Sequence, residues 1–240
     1  MDVQSQSSPR ILQSIGPDIW IADGSRIKFL GLWIGTRMTV AGLAGGGLWV
    51  HSPVALTREL GEAVRGLGDV AALVAPNKLH HLFLKQWIGA FPRARVFGAP
   101  GLRGKRGDMH FDEDLGEDAP AAWREDIDQT IFSGSRAFDE VVFFHKASRT
   151  LILTDLVINM RLDGQGFFAR QFARLEGIVY PDGSAPLMYR LSMKDKLAGR
   201  RAAQRMLAWA PEAIVISHGE WFETNGSAEL KRRFAWILNA

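Results

Sequence analysis

The chain has 240 residues, 47% of them apolar, which is enough to fill one large core. Its 29 Lys and Arg stand against 26 Asp and Glu, a formal charge of +3 that leaves no clear electrostatic footprint for nucleic acid. There is no cysteine, so disulfides, thiolate nucleophiles and Cys-based zinc knuckles are excluded, and any metal must be held by His, carboxylate or carbonyl groups.

Residues 1–12 are rich in Ser and Gln and read as a loose leader to a single domain over 13–240. The start lacks the basic and apolar regions of a signal peptide, and no run reaches the ~20 apolar residues of a membrane span, so a cytoplasmic protein is expected. From Ile19 the text is strand-like: Ile19-Trp20-Ile21-Ala22, Ile27-Lys28-Phe29-Leu30, Met38-Thr39-Val40 and Leu48-Trp49-Val50, punctuated by glycines, predict an antiparallel meander. Ala44-Gly45-Gly46-Gly47 lacks the Lys-Ser/Thr ending of a phosphate loop and is followed by a strand, so it reads as a hairpin turn. Residues 57–65 have helical spacing with Glu59 and Glu62 outward.

The grammar then changes to α/β. Val70 to Val74 is a continuous apolar strand, residues 79–91 repeat at helical spacing, and Arg95-Val96-Phe97-Gly98 is a second strand after Pro92. The corner between the first strand and its helix reads Ala75-Pro76-Asn77-Lys78-Leu79-His80-His81, the place where α/β sheets build sites. Residues 101–126 read as a solvated, charge-mixed loop, and 127–132 as a short strand before Ser133-Gly134-Ser135. Two apolar runs, Glu140 to Phe144 and Thr150 to Thr154, flank a polar turn and predict a largely buried hairpin whose second strand ends in Asp155. A carboxylate delivered there costs several kcal/mol unless a metal or a charged partner meets it.

Residues 156–186 show little pattern beyond a helical stretch at 167–175. Residues 190–209 predict one helix with a basic face of Arg190, Lys194, Lys196, Arg200, Arg201 and Arg205, read as solvated rather than as a nucleic-acid surface. Ala213 to Ile216 is a buried strand ending in Ser217-His218-Gly219, and residues 228–238 form a closing helix.

Three apolar strands thus lead into metal-ligand residue types: His80 and His81, Asp155, and His218. Their recurrence at strand ends favours convergence on one edge. On these residues the chain resembles the metallo-β-lactamase superfamily. Within it the chain resembles a family of uncharacterised proteins with an Ala-Pro-Asn-x-x-His-His corner, a Phe-Phe-His-Lys-x-Ser-Arg-Thr-Leu hairpin and a Thr-Asp-Leu strand end, here at 75–81, 143–151 and 154–156. The resemblance implies an α+β fold, a four-layer αββα sandwich with its site along one edge of two sheets.

The superfamily signature is His-x-His-x-Asp-His. With His81 on its last position, His80 falls on the Asp, Lys78 on the second His and Pro76 on the first. The Gly-His-Thr corner corresponds to Ser133-Gly134-Ser135, so all three ligands of the first metal are missing. These departures lead to an expectation that the resemblance alone does not state: one divalent ion, zinc, iron or manganese, held by some or all of His80, His81, Asp155 and His218, with the Lys78 ammonium occupying or offsetting the vacated site. A register slipped by one residue places His81 on the Asp instead. In the alternative reading no metal binds, and Lys78 neutralises Asp155 in a buried ion pair.

His51 either orients a ligand or caps its turn, Asn77 lies at the same corner, and Trp221 either walls an apolar pocket or packs in the core. His145, at the hairpin turn, reads as structural. The expected function is metal-dependent hydrolysis of a small molecule, with Asp155 the best catalytic candidate and no organic cofactor. The alternative is a non-catalytic, metal-free binding protein on the same scaffold.

Overall fold

Residues 11–240 are described by the computed structural model. Four strands open a seven-stranded sheet as an antiparallel meander: β1 (Gln13–Gly16), β2 (Ile19–Phe29), β3 (Leu32–Gly42) and β4 (Leu48–His51). Parallel strands β5 (Val70–Ala75), β6 (Arg95–Gly98) and β7 (Glu113–Asp114) extend it. The break expected near Gly24 does not occur, because a register shift between Gly24 and Ile27 absorbs the irregularity and β2 runs on. A Cβ at Gly24 would lie 2.6 Å from Val54 Cβ, so the strand can pass there only as glycine.

The second sheet has the order β11-β10-β9-β8. Strands β8 (Ile127–Phe132), β9 (Glu140–His145) and β10 (Thr150–Ile152) are antiparallel, and β11 (Ala213–Val215) joins β10 in parallel. Every residue of β9 and β10 is buried, which explains why they read as unbroken apolar runs. One face of the sheet packs Val141, Phe143 and Ile152 against Trp49, Val74 and Phe97 of the larger sheet. The other packs Phe132, Val142 and Leu151 against helices.

Helices α1 (Arg58–Leu67), α2 (Leu84–Ala90) and α3 (Leu102–Lys105) cover the larger sheet through Leu60, Val64, Trp87 and Leu102. Helix α4 (Phe167–Glu176) packs on the β2–β3 hairpin through Leu32 and Ile34. Helices α5 (Leu187–Ser192), α6 (Lys196–Ala208), α7 (Gly226–Arg233) and α8 (Ala235–Leu238) cover the smaller sheet. The result is the αββα sandwich expected from the sequence.

Several local expectations need correction. The helix expected over 79–91 begins only at Leu84, because residues 77–83 are wound into turns around Asn77. The single helix over 190–209 is two, since Asp195 caps α6 by accepting from Ala198 N at 2.9 Å and the chain turns before it. The loop 101–126 is not simply solvated: it holds α3 and β7 and buries Phe111, Leu115 and Trp123. Residues 156–186 carry α4, which packs Ala169, Phe172 and Ala173 on Leu32 and Ile34. Of the expected leader, residues 1–10 lie outside the described residues, and Leu12 packs against the larger sheet's core.

Candidate metal site

Strand β10 runs into Asp155, which is buried at the meeting of three strand ends. His80 Nε2 lies 3.2 Å from Asp155 Oδ2, and His218 Nε2 lies 3.1 Å from Asp155 Oδ1. The two imidazole centroids are 5.1 Å apart, and one ligand atom from each of the three residues falls within 4.8 Å of the others. Among the described residues these three are the group of metal-ligand type that converges.

The surroundings fix each member. His218 Nδ1 lies 2.7 Å from the carbonyl oxygen of Gly35. A carbonyl only accepts, so Nδ1 carries a proton, and a neutral His218 aims the lone pair of Nε2 at an Asp155 oxygen. Two acceptors at 3.1 Å require a cation between them, whether a proton or a metal ion. His80 Nδ1 is 2.6 Å from Ser52 Oγ, and Ser52 holds a left-handed backbone with φ of 51°. That conformation costs about 1–2 kcal/mol in a non-glycine residue, strain of the kind that collects at functional sites. A ring nitrogen tied to a carbonyl or hydroxyl while the other faces a common point is the usual dress of a metal-binding histidine.

Asn77 is the hub. Its Nδ2 donates to Asp155 Oδ2 at 2.8 Å, Thr154 Oγ1 at 3.0 Å and Glu140 Oε2 at 3.2 Å, while its Oδ1 accepts from Leu79 N and His80 N. One fully buried amide therefore sets both the carboxylate and the turn that carries His80. Glu140 was not singled out from the sequence, where it heads an otherwise apolar run. It accepts from Thr154 N and Asp155 N, each at 2.7 Å, and so clamps the end of β10. A lone carboxylate inside a buried strand was the available signal.

Burial pushes the Asp155 carboxyl up, but the charge of His80 and hydrogen bonds from both histidines hold it well below the usual carboxylate range. Burial lowers His80, and the charge and hydrogen bond of Asp155 outweigh it, raising the imidazole. Glu140 is pushed up by burial and by the Asp155 charge.

The other sequence candidates lie elsewhere. His81 does not join the cluster: its Nδ1 is 2.6 Å from Arg106 Nη1, and burial with the charges of Lys105 and Arg106 lowers its pKa. Of the four candidate ligands, His80, Asp155 and His218 come together and His81 does not. Lys78 does not pair with Asp155. Its side chain is exposed and its Nζ lies against Gly101, while both ion-pair partners of Asp155 are histidines. His51 is buried between the sheets, stacked on Trp49 at 5.2 Å with Phe143 edge-on, and neither ring nitrogen has a hydrogen-bond partner. Trp221 is partly buried against the core under the smaller sheet, and is absent from the cleft lining. Ser135 of the Ser-Gly-Ser corner is engaged with Ser192 at 2.6 Å.

A cleft of about 190 Å³ opens over the three residues. Its walls are mostly apolar, from Ile27, Phe29 and Ile34 on the β2–β3 hairpin and Val54, Leu79 and Leu82 opposite, with Lys105 at the rim. That volume admits a small acyl or ring group rather than a large ligand.

Residues 18–104 match the family model described as a domain of unknown function (DUF4336). The match takes in Asn77 and His80 but stops short of Asp155 and His218. No curated protein matches the chain. Similar solved structures include the DIM-1 metallo-β-lactamase exposed to ceftazidime (14% identity, TM-score 0.64, 95% of this chain and 96% of that one). They also include a metallo-β-lactamase from Pontibacter korlensis (15%, 0.63, 95% and 99%) and TMB-1 (12%, 0.66, 95% and 96%). At such identities the likeness is one of architecture: the chain has the metallo-β-lactamase fold, and over residues 18–104 it matches a family of unknown function.

Proposed function

We propose that the chain is a mononuclear metal-dependent hydrolase acting on a small molecule with an apolar body. The observation that carries this reading is the aim of His218: the Gly35 carbonyl fixes its tautomer so that Nε2 faces the same carboxylate as His80. The donor set of two imidazoles and one carboxylate suits zinc, iron or manganese. Three protein ligands rather than four are the pattern of catalytic zinc sites, which keep a position open, whereas structural sites close it. A divalent ion there supplies Lewis acidity and lowers the pKa of water to about 7.

The chain's own groups do the rest. Asp155 is the catalytic residue in this reading, oriented by the Asn77 amide and by the two histidines. Ser52 and the Asn77 turn position His80, and the Gly35 carbonyl positions His218. The hairpin wall excludes water and receives the apolar part of the substrate, while Lys105 offers a positive charge to an anionic end. The metallo-β-lactamases of like architecture support hydrolysis as the reaction class and leave the substrate to this cleft.

A second reading has its own observation. Both histidine contacts to Asp155 are of direct hydrogen-bond length, so protonated imidazoles alone balance the carboxylate in a metal-free binding protein. Elemental analysis of untagged protein purified without chelator separates the two. About one zinc, iron or manganese per chain, lost in Asp155→Ala with the fold retained, supports the metal site. Metal near zero after incubation with each ion sinks it.

A further inference from the structure

The β2–β3 hairpin ends in an outward-facing apolar tip. Phe29, Leu30 and Trp33 are all exposed, Leu30 by 65%, and the pairing closes at Phe29 and Leu32 so that Leu30-Gly31 is the turn itself. Both turn residues have positive φ, 47° and 83°, a type I′ geometry that favours Asn-Gly. A leucine there is both strained and exposed, and among the described residues it joins none of the core clusters.

This tip does not stand alone. Gln165 bonds both main-chain groups of Trp33, at 3.1 and 2.5 Å, and Arg26 Nη1 donates to Asp163 O at 3.2 Å. The segment leading into α4 is thereby fastened to the hairpin, and α4 begins at once with Phe167 and Phe168, which are 68% and 85% exposed. The inner face of α4 packs Ala169, Phe172 and Ala173 on Leu32 and Ile34, so the helix that carries these exposed rings is seated on the hairpin.

The same surface is cationic. Arg26, Lys28, Arg170 and Arg174 are all exposed, and among the described residues none has a carboxylate within ion-pair distance. Arg26 and Arg170 bond only main-chain carbonyls, those of Asp163 and Gln165. Of the neighbouring acids, Asp23 is taken by Arg37 and Glu176 is buried on Met188 N, leaving Asp163.

We propose that this surface, the hairpin tip with the start of α4, docks on an anionic phospholipid bilayer. Apolar and aromatic side chains ringed by unpaired Arg and Lys match the acyl boundary and the headgroup charge together. A second copy of the chain fits less well, because a two-fold contact would set this cationic surface against itself. The tip protrudes, whereas an acidic peptide requires a groove. Among the described residues no helix is long and apolar enough to cross a membrane, and the contact proposed is a peripheral one. Phe29 is shared with the cleft wall, so the substitutions that test the inference are placed at Leu30 and Phe168, which do not line the cleft.

The test is sedimentation of the full chain with phosphatidylcholine vesicles, with and without phosphatidylserine. Three forms are compared: native protein, the double variant Leu30→Asp with Phe168→Asp, and the double variant Arg170→Glu with Arg174→Glu. All four positions are exposed, and unchanged urea unfolding certifies the fold. Native protein is expected to bind the phosphatidylserine vesicles and release them at high salt, with each double variant weakened at least about tenfold. Absence of binding overturns the proposal, as does equal binding to both vesicle types or insensitivity to either variant. A concentration-dependent dimer dissolved by the same substitutions also overturns it and assigns the surface to a second copy. Metal content, measured on the same preparations, reports separately on the proposed hydrolase site.

Discussion

Replacing His51 by Phe isolates one buried group whose cost can be worked out. The imidazole is 1% exposed, lies parallel to Trp49 and has two ring nitrogens with no partner. Each unpaired buried polar atom costs about 1–3 kcal/mol, while the larger Phe ring costs a similar amount in overpacking, so the change at neutral pH is expected to be small. The pH dependence is the sharper quantity. Burial, with the neighbouring His80 charge, holds the folded-state pKa well below the usual value, so His51 stays neutral in the fold while the unfolded chain protonates. Stability is then fully present above the unfolded pKa of about 6.5 and falls as pH drops below it. Between about pH 7.5 and about pH 5.5 the loss through this one group is at most about 1 kcal/mol. Urea unfolding of chelator-treated protein at those two pH values should show the native-minus-variant stability difference shifting by that amount in favour of His51→Phe. A difference that does not move with pH would refute the neutral, unpartnered assignment, and loss of bound metal in the variant would return His51 to the site.

Two further substitutions probe the site's frame. Asn77→Ala removes an amide group whose two N–H donors are shared among three acceptors and whose oxygen accepts two hydrogen bonds, at a fully buried position, and should cost about 3–5 kcal/mol in urea unfolding and weaken metal binding about 10–100-fold by competitive chelation. A near-neutral result would contradict its role as hub. Lys78→Ala should change stability by less than about 0.5 kcal/mol and leave metal content unchanged, because the ammonium lies over Gly101 and the bond from Lys105 goes to the Lys78 main chain. Metal loss in that variant would restore the ammonium to the vacated first site.

The layers of the fold were legible because burial on both faces leaves an unmistakable text. Strands β5, β9 and β10 pack between sheet and sheet or sheet and helices, so they read as continuous apolar runs, and the β9–β10 turn was visible between them. What periodicity does not encode is the side chain that competes with it. Residues 79–91 repeat at helical spacing, yet the Asn77 carbonyl oxygen takes the Leu79 and His80 N–H groups and delays the helix to Leu84. The break before α6 carried a readable sign in Asp195, an N-cap residue type that a long basic pattern obscured. In the loop 101–126, Phe111, Leu115 and Trp123 have no regular spacing, so nothing marked them as core among so many charges.

The same competition explains which histidine was legible as a ligand. Counting residue types at strand ends finds His80, Asp155 and His218 but cannot separate His80 from His81, since adjacent positions differ only in where the turn points them. That choice is made by groups that never titrate: the Asn77 amide, which winds the turn and holds Asp155, the Ser52 hydroxyl on His80, and the Gly35 carbonyl on His218. Gly35 lies in β3, between the wall of the cleft at Ile34 and Arg37, whose guanidinium binds the carbonyls of Ile216 and Gly219 on either side of His218. One strand therefore sets the tautomer of a ligand, fastens the loop that carries it and builds the apolar wall beside it. A charge pattern alone would have placed Lys78 at Asp155; the main-chain turn turns it outward and puts two imidazoles there instead.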